Sequence, residues 1–370
     1  MSTVKRSIGI EILRILLMTM ILILHINLQG GVLYNTPFGG IRYFSGWLLE
    51  SLCYCAVNGY AMITGYVSCE SNFSYKKIIP IWLQVFFWNT LINLLFILSE
   101  AKSLNITLTS FLPVSSNAYW YFTAYFGMFF FIPFFNKLIK LLDFKNYTIL
   151  ISTMFILFSF YTTCFVTETD PFLLKNGYSM LWLAVLYFAG AYAKKFGSVF
   201  KLKKRMWTIM FFVSASIPAL NSYVLDISSS ALLGDTIYTT NLGGYTLAYN
   251  SPFLVISAFA LLMIFKDIDI KSQKLNSVIL FFSAGSFGVY LIHTHPLFFD
   301  RIVKNMFVSY AELSTPIMLV CIIGTAAAAY IVLAASERLR ILVFDLLKIK
   351  DNIFKAADKL TEKILSMKLK

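Results

Sequence analysis

The chain has 370 residues, 58% of them hydrophobic and only 13% charged, and its apolar residues fall in runs of about 17–25, the length that crosses a bilayer as a helix. That composition excludes an ordinary water-soluble enzyme and points to an all-α, polytopic integral membrane protein. The formal net charge of +13 calls for no nucleic-acid partner, because loop orientation and anionic lipid headgroups account for it.

Reading apolar runs between polar breaks predicts about ten transmembrane helices, at 8–28, 44–67, 78–98, 118–140, 147–166, 179–196, 206–226, 250–266, 277–299 and 315–338. No short hydrophobic stretch with a small-residue cleavage site precedes the first run, so Ile8 to Leu28 is expected as a retained helix and not a removed signal peptide. Placing both termini in the cytoplasm leaves only Arg42, Lys102, Lys175, Arg301 and Lys304 on the far side and Arg14 within the membrane, so 25 of the 31 Lys and Arg are cytoplasmic. The "KKFGSVFKLKKR" segment, Lys194 to Arg205, is then a solvated orientation signal. The chain is expected to divide into a transmembrane domain at 1–340 and a basic tail at 341–370. In that tail Ile349, Ile353, Ala357, Leu360 and Ile364 recur at helical spacing between lysines, as in an amphipathic helix lying on membrane lipids.

There is no Gly-rich phosphate loop, no repeat of fixed period and no low-complexity linker, and the stretch after the tenth run is too short for an independent soluble core. Five cysteines are an odd number, sit mostly inside predicted helices and have no histidine at metal-ligand spacing. They are expected to be apolar packing residues, with no metal site.

An ionisable residue inside a span costs roughly 2.5–3.5 kcal/mol, so it is expected to face a protein interior or a watery cavity. The first helix carries three. Glu11 precedes Arg14 by one turn, the spacing of an ion pair. Arg14 and His25 are eleven residues apart in "RILLMTMILILH", three turns plus about 20°, and so share one face. With the N-terminus inside, Arg14 lies roughly 9 Å from the cytosolic edge and His25 about 5 Å from the outer edge. Such a stripe can hold an anion at one end and carry out proton chemistry at the other, with a long thin substrate joining them. The plainer use of Glu11 and Arg14 is a buried pair that binds helix 1 to its neighbours.

Further polar groups fall at the outer depth: Glu50 in the second run, and His293 and His295 in "YLIHTHPL" of the ninth. The two histidines point about 200° apart, so at most one is expected to face His25, and hydrogen-bonded packing is the ordinary use of either. Glu50 is a candidate to orient His25, from depth alone. Gln84, Asn89 and Asn93 line the third run, where they suit either a sugar or amide contacts between helices. Trp120, in "AYWYFTAYF", is a carbohydrate platform or part of an interfacial aromatic belt. Tyr290, one turn before His293, can hydrogen-bond into the same cavity.

Four ordered segments carry a resemblance. "GIEILRILLMTMILILH", "NGYAMITGY", "YWYFTAYFGMFFFIP" and "GSFGVYLIHTHPL" resemble the membrane-bound acyltransferase 3 family of polysaccharide O-acetyltransferase type, whose mark is an acidic residue, Arg or Lys, ten residues and His. The resemblance covers essentially the whole chain. It implies an enzyme of the bacterial cytoplasmic membrane that moves an acyl group, usually acetyl, from acetyl-CoA to a sugar hydroxyl of a surface polysaccharide or its lipid-linked precursor. It also implies that Arg14 and His25, supported by Glu11, are the catalytic set, with acyl-CoA as a donor substrate and no bound cofactor. One departure stands out: some relatives carry two arginines at the start of the third helix, where this chain has "YKKIIP", with Lys76 and Lys77. Those lysines are candidates for the CoA phosphates and not carriers of the arginines' role.

Two rival classes remain open on the sequence. A transporter or flippase for a lipid-linked glycan also uses intramembrane charges, and similarity between the two halves would mark it, but none is visible. A structural subunit of a glycan-assembly complex would leave His25 replaceable.

Overall fold

The first apolar run folds as α1 (Ile8–Leu24), prolonged by a π-helical turn over His25–Gln29. The computed structural model describes residues 7–71, 73–100, 107–165, 170–234, 246–349, 352–353 and 355, and among these the chain contains no strand. The other main helices are α2 (Ile41–Tyr54), α3 (Ala56–Ser68), α4 (Ile78–Glu100), α5 (Trp120–Phe129), α6 (Ile132–Leu141) and α7 (Phe144–Phe155). They are followed by α8 (Met180–Phe196), α9 (Lys204–Leu233), α10 (Pro252–Phe265), α11 (Gln273–Ser283), α12 (Ser286–His293) and α13 (Thr315–Leu346). Local chemistry sets several starts. Asp143 accepts from the Asn146 N–H to cap α7, Ser179 from Trp182 to cap α8, and Ser272 from Leu275 to cap α11. Proline opens α10 and stands in the first turn of α13, where its missing N–H costs nothing.

Six helical stretches, Ile8–Asn35, Tyr75–Ser99, Phe144–Cys164, Lys204–Leu233, Gln273–His293 and Thr315–Leu346, are long and apolar enough to cross a membrane. Trp120–Phe129 and Ile132–Leu141, bent by 60°, make a seventh if taken as one span. On the outer helices Leu94, Leu95 and Leu98 of α4, Phe212 and Val224 of α9, and Val320 and Val332 of α13 are exposed. Such long apolar belts are stable only against lipid or another apolar partner.

Three runs read as single helices are broken, the 118–140 run at the 60° bend between α5 and α6. The 44–67 run divides at Cys55 (φ −71°, ψ −5°), where the α-helical ladder stops before α3 resumes. The 277–299 run divides at Ala284 and Gly285, where a Cβ on Gly285 would meet the Ala334 backbone at 3.0 Å, so only glycine lets the break sit against α13. The predicted tail helix falls almost wholly outside the described residues, while α13 runs past the expected boundary to Leu346. All five cysteines are free: Cys53, Cys55 and Cys69 are buried, Cys321 is half-buried and Cys164 is exposed.

The core is organised around α1, which packs on α2, α3, α10, α11, α12 and α13. Leu13 and Leu17 are fully enclosed there. The tightest crossing is α3 on α8, where a Cβ at Gly65 would lie 1.9 Å from the Tyr187 carbonyl oxygen and one at Gly190 would lie 1.9 Å from that of Met62. Backbones this close dispense with side chains at the crossing, the packing mode that replaces hydrophobic drive between helices in lipid.

Candidate active site

Periodicity places Arg14 and His25 on one face of α1, and two cavities line that face. The first, of about 390 Å³, is bordered by Glu11, Arg14, Thr64, Gln84 and Ser286. The second, of about 370 Å³, is bordered by His25, Tyr119, Trp120, Tyr249, Tyr290 and Phe299. Tyr60, Tyr121 and Phe287 line both, so three aromatic side chains stand between them. Tyr60 is held there by donating its hydroxyl to the Arg14 carbonyl at 2.6 Å.

At the first cavity, Arg14 Nη1 donates to Glu11 Oε1 at 2.6 Å. Glu11 is buried and its other carboxylate oxygen has no partner among the described residues. Arg14 keeps part of its side chain accessible, 28% exposed against 4% for Glu11. The carboxylate therefore fixes the guanidinium while other N–H groups remain able to meet a ligand.

At the second cavity, the π-helical turn begins at His25, where the Gly30 N–H donates to the His25 carbonyl at 2.8 Å. One extra residue in the turn shifts the phase of the side chains beyond it, a distortion common at functional sites. His25 Nδ1 lies 3.0 Å from His293 Nε2, and His293 Nδ1 lies 2.6 Å from the Val289 carbonyl oxygen. A carbonyl only accepts, so the hydrogen-bond chain assigns both tautomers. His293 carries its proton on Nδ1, leaving Nε2 to accept from His25 Nδ1–H, and the free lone pair of His25 is then on Nε2. Phe299 packs its edge against the His25 ring at 5.3 Å.

The remaining predicted residues divide. Trp120 and Tyr290 border the His25 cavity, and Gln84 borders the Arg14 cavity. Glu50 does not meet His25 in any hydrogen bond of the described residues; it accepts from Asn27 Nδ2 at 2.9 Å and borders a third cavity. His293 fills the orienting place considered for Glu50. His295 turns away, its Nδ1 accepting from the Leu297 N–H. Asn89 and Asn93 both donate to the Ser110 carbonyl, at 2.8 and 3.1 Å, tying α4 to the following loop. Lys76 and Lys77 are exposed just before α4 and border neither cavity on the α1 face.

Sequence reading missed Tyr60, Phe287 and Asn27. Tyr60 and Phe287 look like ordinary aromatic residues of apolar helices. Asn27 carried a usable signal, being an amide two residues beyond His25 in the same run.

A family model for an acyltransferase domain, acyltransferase 3, matches residues 7–334, which takes in every residue of both cavities. No curated protein and no solved structure matches the chain.

Proposed function

This chain belongs to the acyltransferase 3 family, and on that premise we propose that it transfers an acyl group, acetyl first among them, from cytosolic acyl-CoA to a hydroxyl of a surface glycan or its lipid-linked precursor. In this reading the ten apolar runs cross the cytoplasmic membrane with both termini inside, which sets Arg14 toward the cytosol and His25 toward the outer face. The observation that carries it is the pair of cavities along one face of α1, one bordered by Arg14, the other by His25, with Tyr60, Tyr121 and Phe287 lining both. Eleven residues of helix separate the two groups by about 16 Å, a span suited to a thin pantetheine arm.

Arg14, held by Glu11, orients the donor from the cytosolic half. The thioester passes these three aromatic side chains and its carbonyl carbon comes to the His25 cavity. His25 Nε2 takes the proton of the acceptor hydroxyl as its oxygen attacks that carbon. The new C–O bond forms, the C–S bond breaks, and CoA leaves as thiolate, which takes up the proton. His293 accepts from His25 Nδ1–H throughout, so it holds the tautomer that a base requires and stabilises the imidazolium as it forms. Excluding water by the aromatic walls favours the sugar hydroxyl over hydrolysis. An acyl-histidine route would use the same Nε2 lone pair.

The test is a mass spectrum of the host's surface glycan with and without this protein. Loss of an acyl increment on a sugar when the protein is removed is the expected result. An unchanged glycan, with a change only in its transport across the membrane, would replace this reading by the flippase class.

A further inference from the structure

A third cavity, of about 240 Å³, lies behind the His25 cavity and is bordered by Glu50, Asp226, Trp47, Tyr54 and Tyr178. The two share an aromatic partition. Trp120 and Tyr249 line the His25 side, Tyr54 and Tyr178 line the other, and the rings touch with centroids 4.4 Å apart for Trp120 and Tyr178 and 4.9 Å apart for Tyr54 and Tyr249. One turn of chain serves both, since His25 borders the second cavity and Leu28 the third.

Both carboxyl groups of the third cavity are built in rather than left on a surface. Glu50 and Asp226 are each 1% exposed; Glu50 accepts from Asn27, and Asp226 accepts from the Tyr43 hydroxyl. Trp47, one turn before Glu50, is 5% exposed, and its indole N–H has no partner among the described residues. A buried N–H left without an acceptor costs about 1–3 kcal/mol, so an occupant that supplies one is favoured there.

We propose that this cavity is an acceptor subsite for a neutral sugar ring, on the far side of the aromatic partition from the hydroxyl acylated at His25. The inference rests on the reading of the protein as a glycan acyltransferase and adds the class of sugar. Two carboxyl groups take hydrogen bonds from ring hydroxyls, the Trp47 N–H donates to a hydroxyl oxygen, and the aromatic faces pack on the C–H surface of the ring. A cation whose only polar group is its ammonium answers the carboxyl groups but offers no acceptor to Trp47. A uronic acid brings a third carboxyl group to a cavity that no Lys, Arg or His borders among the described residues, and the whole of 227–249 contains none of the three. Its burial there, with no cation to pair it, is disfavoured by desolvation.

The test uses the full-length protein in nanodiscs, with saturation-transfer NMR against a neutral methyl hexoside and the matching methyl hexuronide. The hexoside is expected to receive saturation and the hexuronide none. Trp47→Phe, which keeps a ring and removes only the N–H, and Glu50→Gln are expected to weaken hexoside binding roughly 5- to 10-fold each. A ligand-free thermal melt matching wild type checks that each variant is folded. In steady-state transfer to a glycan acceptor, Trp47→Phe is expected to raise the acceptor KM with kcat largely kept. Equal saturation of hexoside and hexuronide, or hexoside binding undisturbed in both folded variants, overturns the subsite. The binding readout requires no acyl transfer. A wild type that binds the hexoside yet transfers nothing therefore refutes the acyltransferase reading alone, and a wild type that transfers with variants unchanged in acceptor KM refutes the subsite alone.

Discussion

Removing the His293 imidazole isolates what the histidine pair contributes. His293→Ala deletes the acceptor 3.0 Å from His25 Nδ1 and leaves that N–H without a partner in a buried setting. The hydrogen bond is worth roughly 1–3 kcal/mol once its loss strands a buried group, and each 1.36 kcal/mol is tenfold in rate. The expected fall in kcat is therefore about 5- to 150-fold, with the KM of donor and acceptor little changed because neither substrate meets His293. His25→Ala removes the base itself and should cost on the order of 10²–10⁴. His293→Gln restores an amide oxygen near the Nε2 position and should recover most of the rate. The assay is transfer of radiolabelled acetyl from acetyl-CoA to the acceptor by protein in nanodiscs, for both single variants and the double variant. Because His293 acts through His25, its removal should cost nothing further in the His25→Ala background. A full additional loss in the double variant, or a His293→Ala effect confined to KM, would refute the relay.

Three further outcomes are expected from the geometry. Arg14→Ala should weaken acyl-CoA binding roughly tenfold or more by calorimetry, with Arg14→Lys recovering part as a point charge; Glu11→Gln with Arg14→Ala controls for the stranded carboxylate, and equal donor affinity in a folded Arg14→Ala variant would reduce the pair to helix packing. A topology reporter fused after residue 240 should be active only outside and one fused after residue 200 only inside, since 227–249 has no Lys or Arg and 194–205 is rich in them. Glu337 is fully buried, accepts from Trp88 Nε1 at 2.6 Å and pairs with Arg340; Arg340→Ala should lower the thermal midpoint by the equivalent of about 3–5 kcal/mol, and Glu337→Gln with Arg340→Met should recover much of it.

The amino-acid sequence by itself determined the helical class and the stripe on α1. Length and apolarity decide the first, because backbone groups in hydrocarbon must bond within their own segment. Helical period decides the second: Arg14 and His25 share a face whatever the rest of the chain does, and Glu11 reaches Arg14 by being one turn away. The breaks at Cys55 and Gly285 were not legible in hydropathy, because residues on either side of each break are equally apolar, and Gly285 is required by the Ala334 backbone of a distant helix. The partners of the stripe were likewise decided only by tertiary packing. Depth in the membrane suggested both Glu50 and His293 as neighbours of His25, and depth is a single coordinate that leaves azimuth open. The extra residue of the π-helical turn and the packing of α2 and α12 on α1 settle it, turning Asn27 to Glu50 and His25 to His293 across a sequence separation of 268 residues. The Trp47, Glu50 and Asp226 cavity is the same case. Its carboxyl groups come from α2 and α9, and no local pattern relates them, since the contacts that join these helices, among them the Tyr43 hydroxyl on Asp226 and the Ser51 hydroxyl on the Ala215 carbonyl, exist only once the bundle has closed.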